Sequence, residues 1–181
     1  MKATWLMVAC AGIVLATACK KEKMQEPADD SLYGKLGGTT KVPDPRNPGM
    51  MIEKGRLGLR SVVDSTIFVI AADAKLQPFF TPLLAEVTAG NTTNLAILSK
   101  NLTDFFSVAT GAKNFTYTGL GMRAAHDPAQ NPRMAKKSTN ADFDNFIAAV
   151  VKGAQQNMVP NDLIAEVGKL LETLRAPIVQ M

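Results

Sequence analysis

His126 is the only histidine in the sequence, and it lies four residues after Met122. On a short helix, residues four apart share one face, so both side chains would point the same way. A lone histidine is more often structural or exposed than a metal ligand, so the spacing alone leaves its role open. A zinc site needs three or four ligands, whereas haem iron, already held by the porphyrin nitrogens, asks the protein for one imidazole. One histidine would therefore suffice for haem but not for zinc.

The composition excludes several classes of protein. With 46% apolar and 20% charged residues, the 181-residue chain falls in the range of globular domains. Its net charge of +4 comes from 20 basic and 16 acidic residues without a long basic run, which argues against a nucleic-acid partner. The two cysteines are too few for a disulfide scaffold. Zinc-finger, disulfide-rich and multi-span membrane proteins are thereby excluded.

Apolar residues recur at three- and four-residue steps in four segments, which predicts α-helices at 61–72, 91–109, 142–156 and after Pro160. The first segment is rich in Val, Ile and Thr and also permits a strand. The second is the clearest helix, with an apolar stripe opposite Lys100, Asn101 and Asp104. No segment shows sustained two-residue alternation, so we expect an all-α fold.

Three segments lack this periodicity and are predicted to be loops. Residues 40–58 contain three prolines, residues 127–138 contain two, and residues 81–93 contain Pro82, Gly90 and several threonines. Within the last of these, 83–87 is compatible with a short turn of helix.

Five short motifs follow one another along the chain. They are SLYGKLGG at 31–38, VVD at 62–64 with ADAKLQPFF at 72–80, FF at 105–106, YTGLGMRAAH at 117–126, and VPNDLIAEV at 159–167. In these motifs and their order the sequence resembles the truncated haemoglobins, most closely the first group of that family. The match runs from Ser31 to about Val179, and the three predicted loops look like insertions relative to the family.

The resemblance implies a shortened globin fold, with helices packed in two layers around a cleft for haem b. It places His126 on the proximal histidine and Phe80 on the phenylalanine that packs against the porphyrin. Met122, Phe105 and Phe106 fall on pocket-lining positions, and Tyr117 lies near the expected propionates. Aromatic and aliphatic side chains suit the faces of a flat apolar cofactor.

The distal side departs from the family. Ile67 stands where the family usually has a tyrosine that bonds the ligand, and Leu98 and Leu102 stand where polar side chains are frequent. A hydrogen bond to bound O₂ contributes about 1–2 kcal/mol in a buried site, so its absence favours O₂ loss and better CO or NO binding. A shift of one position in this alignment would instead place Thr66, Ser99 or Thr103 there.

The function implied by the resemblance is reversible binding of a diatomic gas, O₂, NO or CO, at iron held by His126. An enzymatic alternative is NO dioxygenation or peroxidase-like chemistry, for which an unidentified reductase would be a partner. A third possibility is a haem-free interaction module carried on a lipoprotein.

The N-terminus predicts export and lipidation. Residues 1–18 have the parts of a signal peptide: Lys2, an apolar run at 5–15 and small residues before Cys19. The sequence LATAC resembles a bacterial lipobox, which implies an acylated Cys19. Cys10 is an alternative site, and an uncleaved anchor or ordinary secretion also remain open.

The remaining boundaries follow from this cleavage site. Residues 19–30 are charged, contain Pro27 and read as a lipidated tether, and residues 31–181 form the domain. The predicted location is the cell envelope, anchored to a bacterial membrane. Because Lys20 rather than Asp follows Cys19, the outer membrane is favoured if the cell is Gram-negative.

Overall fold

The computed structural model describes residues 29–181. The predicted signal peptide, Cys10, Cys19 and tether residues 20–28 lie outside the described residues, so the expectations about them stay predictions.

Helices dominate the described chain, which confirms the predicted all-α class. They are α1 (Leu32–Lys35), α2 (Lys54–Ala72), α3 (Thr81–Thr88), α4 (Thr93–Ala109), α5 (Met122–Ala125), α6 (Asn140–Gln156), α7 (Asn161–Glu172) and α8 (Arg175–Ile178), with a 3₁₀ turn at Gln77–Phe80. Within residues 29–181, no single helix is long and apolar enough to span a membrane. Helix α2 and the segment Gln77–Thr88 together have the length and composition of a span, but a bend of 105° separates them.

Helix α2 lies at the centre and packs against both α4 and α6, while α6 also packs against α7. The main core joins side chains from these helices and α1: Tyr33, Leu59, Val63, Phe106, Val150 and Leu171. A capping box starts α6, in which the Thr139 hydroxyl accepts from the Asp142 amide and the Asp142 carboxylate accepts from the Thr139 amide.

The loop prediction for residues 40–58 is wrong. Strands β1 (Lys41–Pro43) and β2 (Met51–Glu53) form an antiparallel hairpin, and α2 already begins at Lys54. The prolines lie at the end of β1 and in the turn between the strands, where a ladder amide is not needed. Because Gly55 disfavours a helix locally, the sequence pattern does not show where α2 begins. A Cβ at this position would lie 3.0 Å from the Tyr33 ring, so the close packing of Tyr33 against α2 explains the glycine.

In the irregular segment 81–93, the short turn of helix allowed at 83–87 is present and is longer than expected, because α3 occupies Thr81–Thr88. Pro82 lies in the first turn of this helix, where proline is favoured because no amide donor is lost. Residues 127–138 form turns and irregular backbone, as predicted.

Helix α4 has a second buried face that its apolar stripe does not reveal. Ser99, Thr103 and Ser107 recur every four residues and are buried, and the hydroxyls of Thr103 and Ser107 each donate to the carbonyl four residues earlier at 2.7 Å.

Asp104, expected on the solvent side, is also buried and pairs with Arg56 and Lys100. Burial opposes its ionisation, but the hydrogen bonds from Lys100 and Arg56 outweigh this and keep the pKa of Asp104 below its ordinary value.

Candidate functional site

A cavity of about 470 Å³ lies among α2, α3, α4, α5, α6 and the 127–138 loop. Its volume falls within the range of about 300–1,000 Å³ that is usual for ligand pockets. Every pocket residue proposed from the sequence lines it: Ile67, Phe80, Leu98, Leu102, Phe105, Phe106, Tyr117, Met122 and His126. All except the buried Phe106 are half-buried. Their roles as cofactor contacts remain predictions.

His126 terminates α5, one residue beyond its last helical position, and both His126 and Met122 line the cavity. Its Nδ1 lies 2.7 Å from the carbonyl oxygen of Met122. Because a carbonyl can only accept, this bond places the proton on Nδ1 and leaves a lone pair on Nε2. Burial lowers the pKa of His126, with the Met122 bond acting weakly in the opposite direction, so the ring is neutral at pH 7. No residue of the described chain forms a hydrogen bond with Nε2.

Aromatic contacts connect α4 to the segment that precedes α5. The Phe105 ring meets those of Phe106 and Tyr117 edge-on, with centroids 5.5 Å apart in both pairs. The Tyr117 hydroxyl donates to the carbonyl of Leu120 at 2.7 Å, and burial raises the pKa of this phenol. Tyr117 therefore contributes its ring to the cavity while its hydroxyl holds the 117–120 turn.

The neighbouring hydroxyl residues do not supply a polar group to the distal side. Ser99 donates to Asp64 at 2.7 Å, and Thr103 donates to the Ser99 carbonyl. Thr66 faces α6, where its Oγ1 lies 2.4 Å from the position of a Cβ on Gly153. None of these three residues lines the cavity. Ile67, Leu98 and Leu102 do line the cavity, and Asn94 and Asn101 of α4 line it beside them. The assignment of Ile67, Leu98 and Leu102 to a distal wall stays a prediction.

The 127–138 loop adds cavity residues that the sequence reasoning missed. Asn131 and the buried Met134 both line the cavity, and the Asn131 amide donates to the Ala125 carbonyl at 2.7 Å. The guanidinium of Arg133, also in the lining, donates to Glu86 of α3 at 2.6 Å and lowers the pKa of that carboxyl. This loop has no regular apolar pattern from which a buried face could be predicted. The family resemblance does not predict its place in the cavity either, because 127–138 looks like an insertion relative to the family.

The C-terminal segment closes the same side of the cavity. Ser138 and Ile178 line it, and the Ser138 hydroxyl donates to the Ile178 carbonyl at 2.7 Å. The Gln180 amide donates to the Ser138 carbonyl at 3.0 Å, and its side chain donates to the Arg123 carbonyl at 2.9 Å. These bonds fix α8 against α5 and thereby support the segment that carries His126.

No family model and no curated protein matches the sequence. Solved structures do match. The chain is similar to a point mutant of the truncated haemoglobin from Tetrahymena pyriformis in its Fe(III) form, at 22% identity and a TM-score of 0.59, over 83% of this chain and 99% of that chain. It is also similar to the 2/2 haemoglobin from Synechococcus sp. PCC 7002, in the cyanomet state with covalently attached haem, at 25% identity and a TM-score of 0.58, over 82% of this chain and 98% of that chain.

These likenesses confirm the predicted fold class. The chain has a shortened globin-like fold, in which α2 and α4 form one layer and α6 and α7 the other. The cavity lies in this fold with a neutral imidazole on one wall and aliphatic side chains on another.

Proposed function

We propose that this protein is a haem-binding truncated haemoglobin that reversibly binds a diatomic gas, O₂, NO or CO, with His126 as the proximal ligand. The observation that carries the proposal is the Nε2 atom of His126, which has a lone pair and no hydrogen-bond partner among residues 29–181 and lies in a largely apolar cavity. The likeness to two haemoglobin structures supports it.

The residues present fit haem b. A ligating imidazole normally donates its other nitrogen to a carbonyl or carboxylate, which fixes the tautomer and raises the basicity of the ligand. His126 and the Met122 carbonyl have this arrangement. Phe80 and Phe105 provide aromatic surface in the lining, as a flat apolar cofactor requires. When bound, haem supplies an iron with an open coordination position for a gas.

The protein's own contribution is to hold the imidazole and to exclude water. Desolvation keeps His126 neutral, and so available as a ligand, at pH 7. The proposed distal side chains, Ile67, Leu98 and Leu102, carry no hydrogen-bond donor. Asn94 and Asn101 also line the cavity from α4, and the Asn94 amide donates to Glu86 at 2.8 Å. We therefore propose a site that releases O₂ readily and binds CO or NO comparatively well.

A haemin titration of the purified domain tests the proposal directly. We expect a Soret band that saturates at one haem per chain, with distinct ferric, ferrous and CO spectra. A wild-type protein that gains no Soret band would refute the proposal and favour the haem-free interaction module.

Replacing Leu98 by glutamine should slow the dissociation of O₂ about tenfold, because the new amide can donate a hydrogen bond to the ligand. CO carries less negative charge, so its dissociation should change much less. Stopped-flow displacement measures both rates. The control is Leu98→Met, which conserves volume without adding a donor and should leave both rates close to wild type. Equal changes in the two rates for Leu98→Gln would contradict the distal assignment.

We propose gas binding rather than NO dioxygenation or peroxidase-like catalysis. Catalysis at haem depends on polar groups placed on the distal side, and Ile67, Leu98 and Leu102 offer none. A reductase that keeps the iron ferrous is part of the proposal as an unidentified partner. Nitrate formation from O₂ and NO over many turnovers, with a reductant supplied, would overturn this choice.

We also propose that Cys19 anchors the domain to the membrane of the cell envelope. LATAC at 15–19 supports acylation, and Lys20 favours the outer membrane of a Gram-negative cell. Expression of the full chain in a Gram-negative bacterium tests this. We expect wild type and Cys10→Ser in the membrane fraction and Cys19→Ser outside it; retention of Cys19→Ser in the membrane would contradict lipidation there.

A further inference from the structure

Helices α2 and α4 run antiparallel, and polar bonds join them at two levels. Arg56 near the start of α2 bonds Asp104 and Ser107 near the end of α4. Two turns further along α2, Asp64 bonds Ser99, which lies earlier on α4. On α2 the cavity lining begins at Ile67, one turn beyond Asp64, and on α4 it extends from Asn94 to Phe106, on both sides of Ser99. Among residues 29–181, the bond of Ser99 to Asp64 is the side-chain hydrogen bond between the two helices that lies nearest to the α2 residues of the cavity lining.

Both oxygens of Asp64 are used. Oδ1 accepts from the buried Ser99 hydroxyl at 2.7 Å, and Oδ2 accepts from the guanidinium of Arg46 in the hairpin turn. The Arg46 side chain is 53% exposed, so the chain of bonds runs from the surface to the buried helix interface.

The hairpin turn is itself fixed to α2. Asp44 is buried and accepts from the Arg60 guanidinium at 2.6 and 3.3 Å. It also accepts from the Asn47 side chain at 2.8 Å and from the Arg46 amide at 3.0 Å. These bonds hold the pKa of Asp44 well below its usual range, with Arg60 as the largest cause. The backbone of Arg46 is therefore held in place through Asp44 and Arg60, and this brings the Arg46 side chain to Asp64.

Beyond this point the helices present exposed apolar side chains at the edge of the cavity. Phe68 on α2 is 73% exposed and Ile97 on α4 is 49% exposed, and both belong to the cavity lining. Neither forms part of the buried core, whereas Ile67 of α2 and Leu102 of α4 are partly buried and pack against it. The polar bonds at Asp64 add to this packing a restraint of fixed length between the two helices.

We propose that Arg46, Asp64 and Ser99, here named the Asp64 tie, are positioning residues that set the gap between α2 and α4 at the edge of the cavity. Ile67 lies one turn from Asp64, and Leu98 is adjacent to Ser99, so the tie fixes the distal wall. The inference rests on the proposed function, because this gap then governs how fast a gas enters and leaves. The hairpin, which looked like an unstructured insertion in the sequence, thereby acquires a role at the site.

The variants Ser99→Ala and Arg46→Ala test the tie in two ways. In the haem-free protein, hydrogen exchange of the amides in 64–72 and 93–102 should speed up about tenfold, because a hydrogen bond to a charged group is lost. In the haem-loaded protein, the geminate fraction of CO rebinding after photolysis should fall, and bimolecular association should become several-fold faster.

Two further variants separate positioning from general stability. Ser107→Ala removes a bond to Arg56 about two turns of α4 from Ser99. Ser107 does not itself line the cavity, so this variant should lower the melting temperature without changing CO rebinding. Arg46→Lys keeps the charge and should restore much of the wild-type behaviour. Because Arg46 is largely exposed, its variants should fold.

Unchanged exchange and CO rebinding in Ser99→Ala and Arg46→Ala would overturn the proposal. Equal changes in Ser107→Ala would also overturn it, since the effect would then be one of stability alone. The failure of the proposed function is a separate result: a wild type without a Soret band refutes haem binding, while the exchange experiment on haem-free protein still decides whether the tie sets the gap.

Discussion

Replacing His126 by glycine should abolish tight haem binding, and added imidazole should restore it. His126 is the only histidine in the chain, and the Met122 carbonyl holds its Nδ1 so that Nε2 is the free nitrogen. Removal of the ring leaves the apolar cavity without a strong ligand for iron. The Soret absorbance after haemin titration and desalting measures the loss, and we expect a decrease in affinity of at least about a hundredfold.

The matched control is Arg123→Ala on the same short helix. Arg123 is exposed, so its removal should leave the spectrum unchanged. Imidazole should diffuse into the space left in His126→Gly and recover the wild-type ferrous-CO spectrum. If His126→Gly keeps the wild-type spectrum without imidazole, His126 is not the axial ligand and the proposed site is wrong.

Replacing Gly153 by alanine should destabilise the domain by about 2–3 kcal/mol, because there is no room for a methyl group where α6 crosses α2. The added Cβ would lie 2.4 Å from Thr66 Oγ1 and 2.9 Å from the Thr66 backbone nitrogen. The Thr66 side chain can rotate away from the new methyl group. The contact with the Thr66 backbone nitrogen is relieved only if α2 and α6 move apart. A loss of this size lowers the melting temperature by about 5–10 °C for a domain of this length, which circular dichroism of the haem-free protein measures.

Gly168→Ala on α7 is the control, since no atom lies within 4 Å of the Cβ it would add. Alanine is the better helix former by about 0.5–1 kcal/mol, so this variant should melt at or slightly above the wild-type temperature. Adding Thr66→Ala to Gly153→Ala removes the contact with Oγ1 but not with the backbone, and should recover only part of the loss. Equal melting temperatures for Gly153→Ala and Gly168→Ala would show that the helix crossing is not tight.

The long helices were predictable because each buries one regular apolar face. The stripe at 91–109 predicts α4 to within two residues, and the pattern at 142–156 predicts α6 equally well. The pocket residues were predictable by another route, the family motifs, since nothing in their spacing brings Phe80, Leu98 and His126 together. Sequence periodicity describes what one element buries, and a cavity is built from several elements.

The remaining features depend on contacts that are distant in the sequence. The hairpin at 41–53 has strands of three residues, too short to show alternation, and ion pairs to α2 hold it in place. The start of α2 was missed because Gly55 disfavours a helix locally but permits contact with Tyr33. Asp104 was assigned to solvent because its partner Arg56 is 48 residues away.

The bonds between the C-terminal residues and the rest of the chain constrain the order of assembly during synthesis. The wall behind His126 requires Ser138 to meet Ile178, 40 residues later, and the Arg123 carbonyl to meet Gln180, 57 residues later. Contacts of such long sequence separation form late, and these cannot form until residue 180 has left the ribosome. The cavity wall behind His126 is therefore completed only after residue 180 has been translated, so a shorter nascent chain lacks that wall.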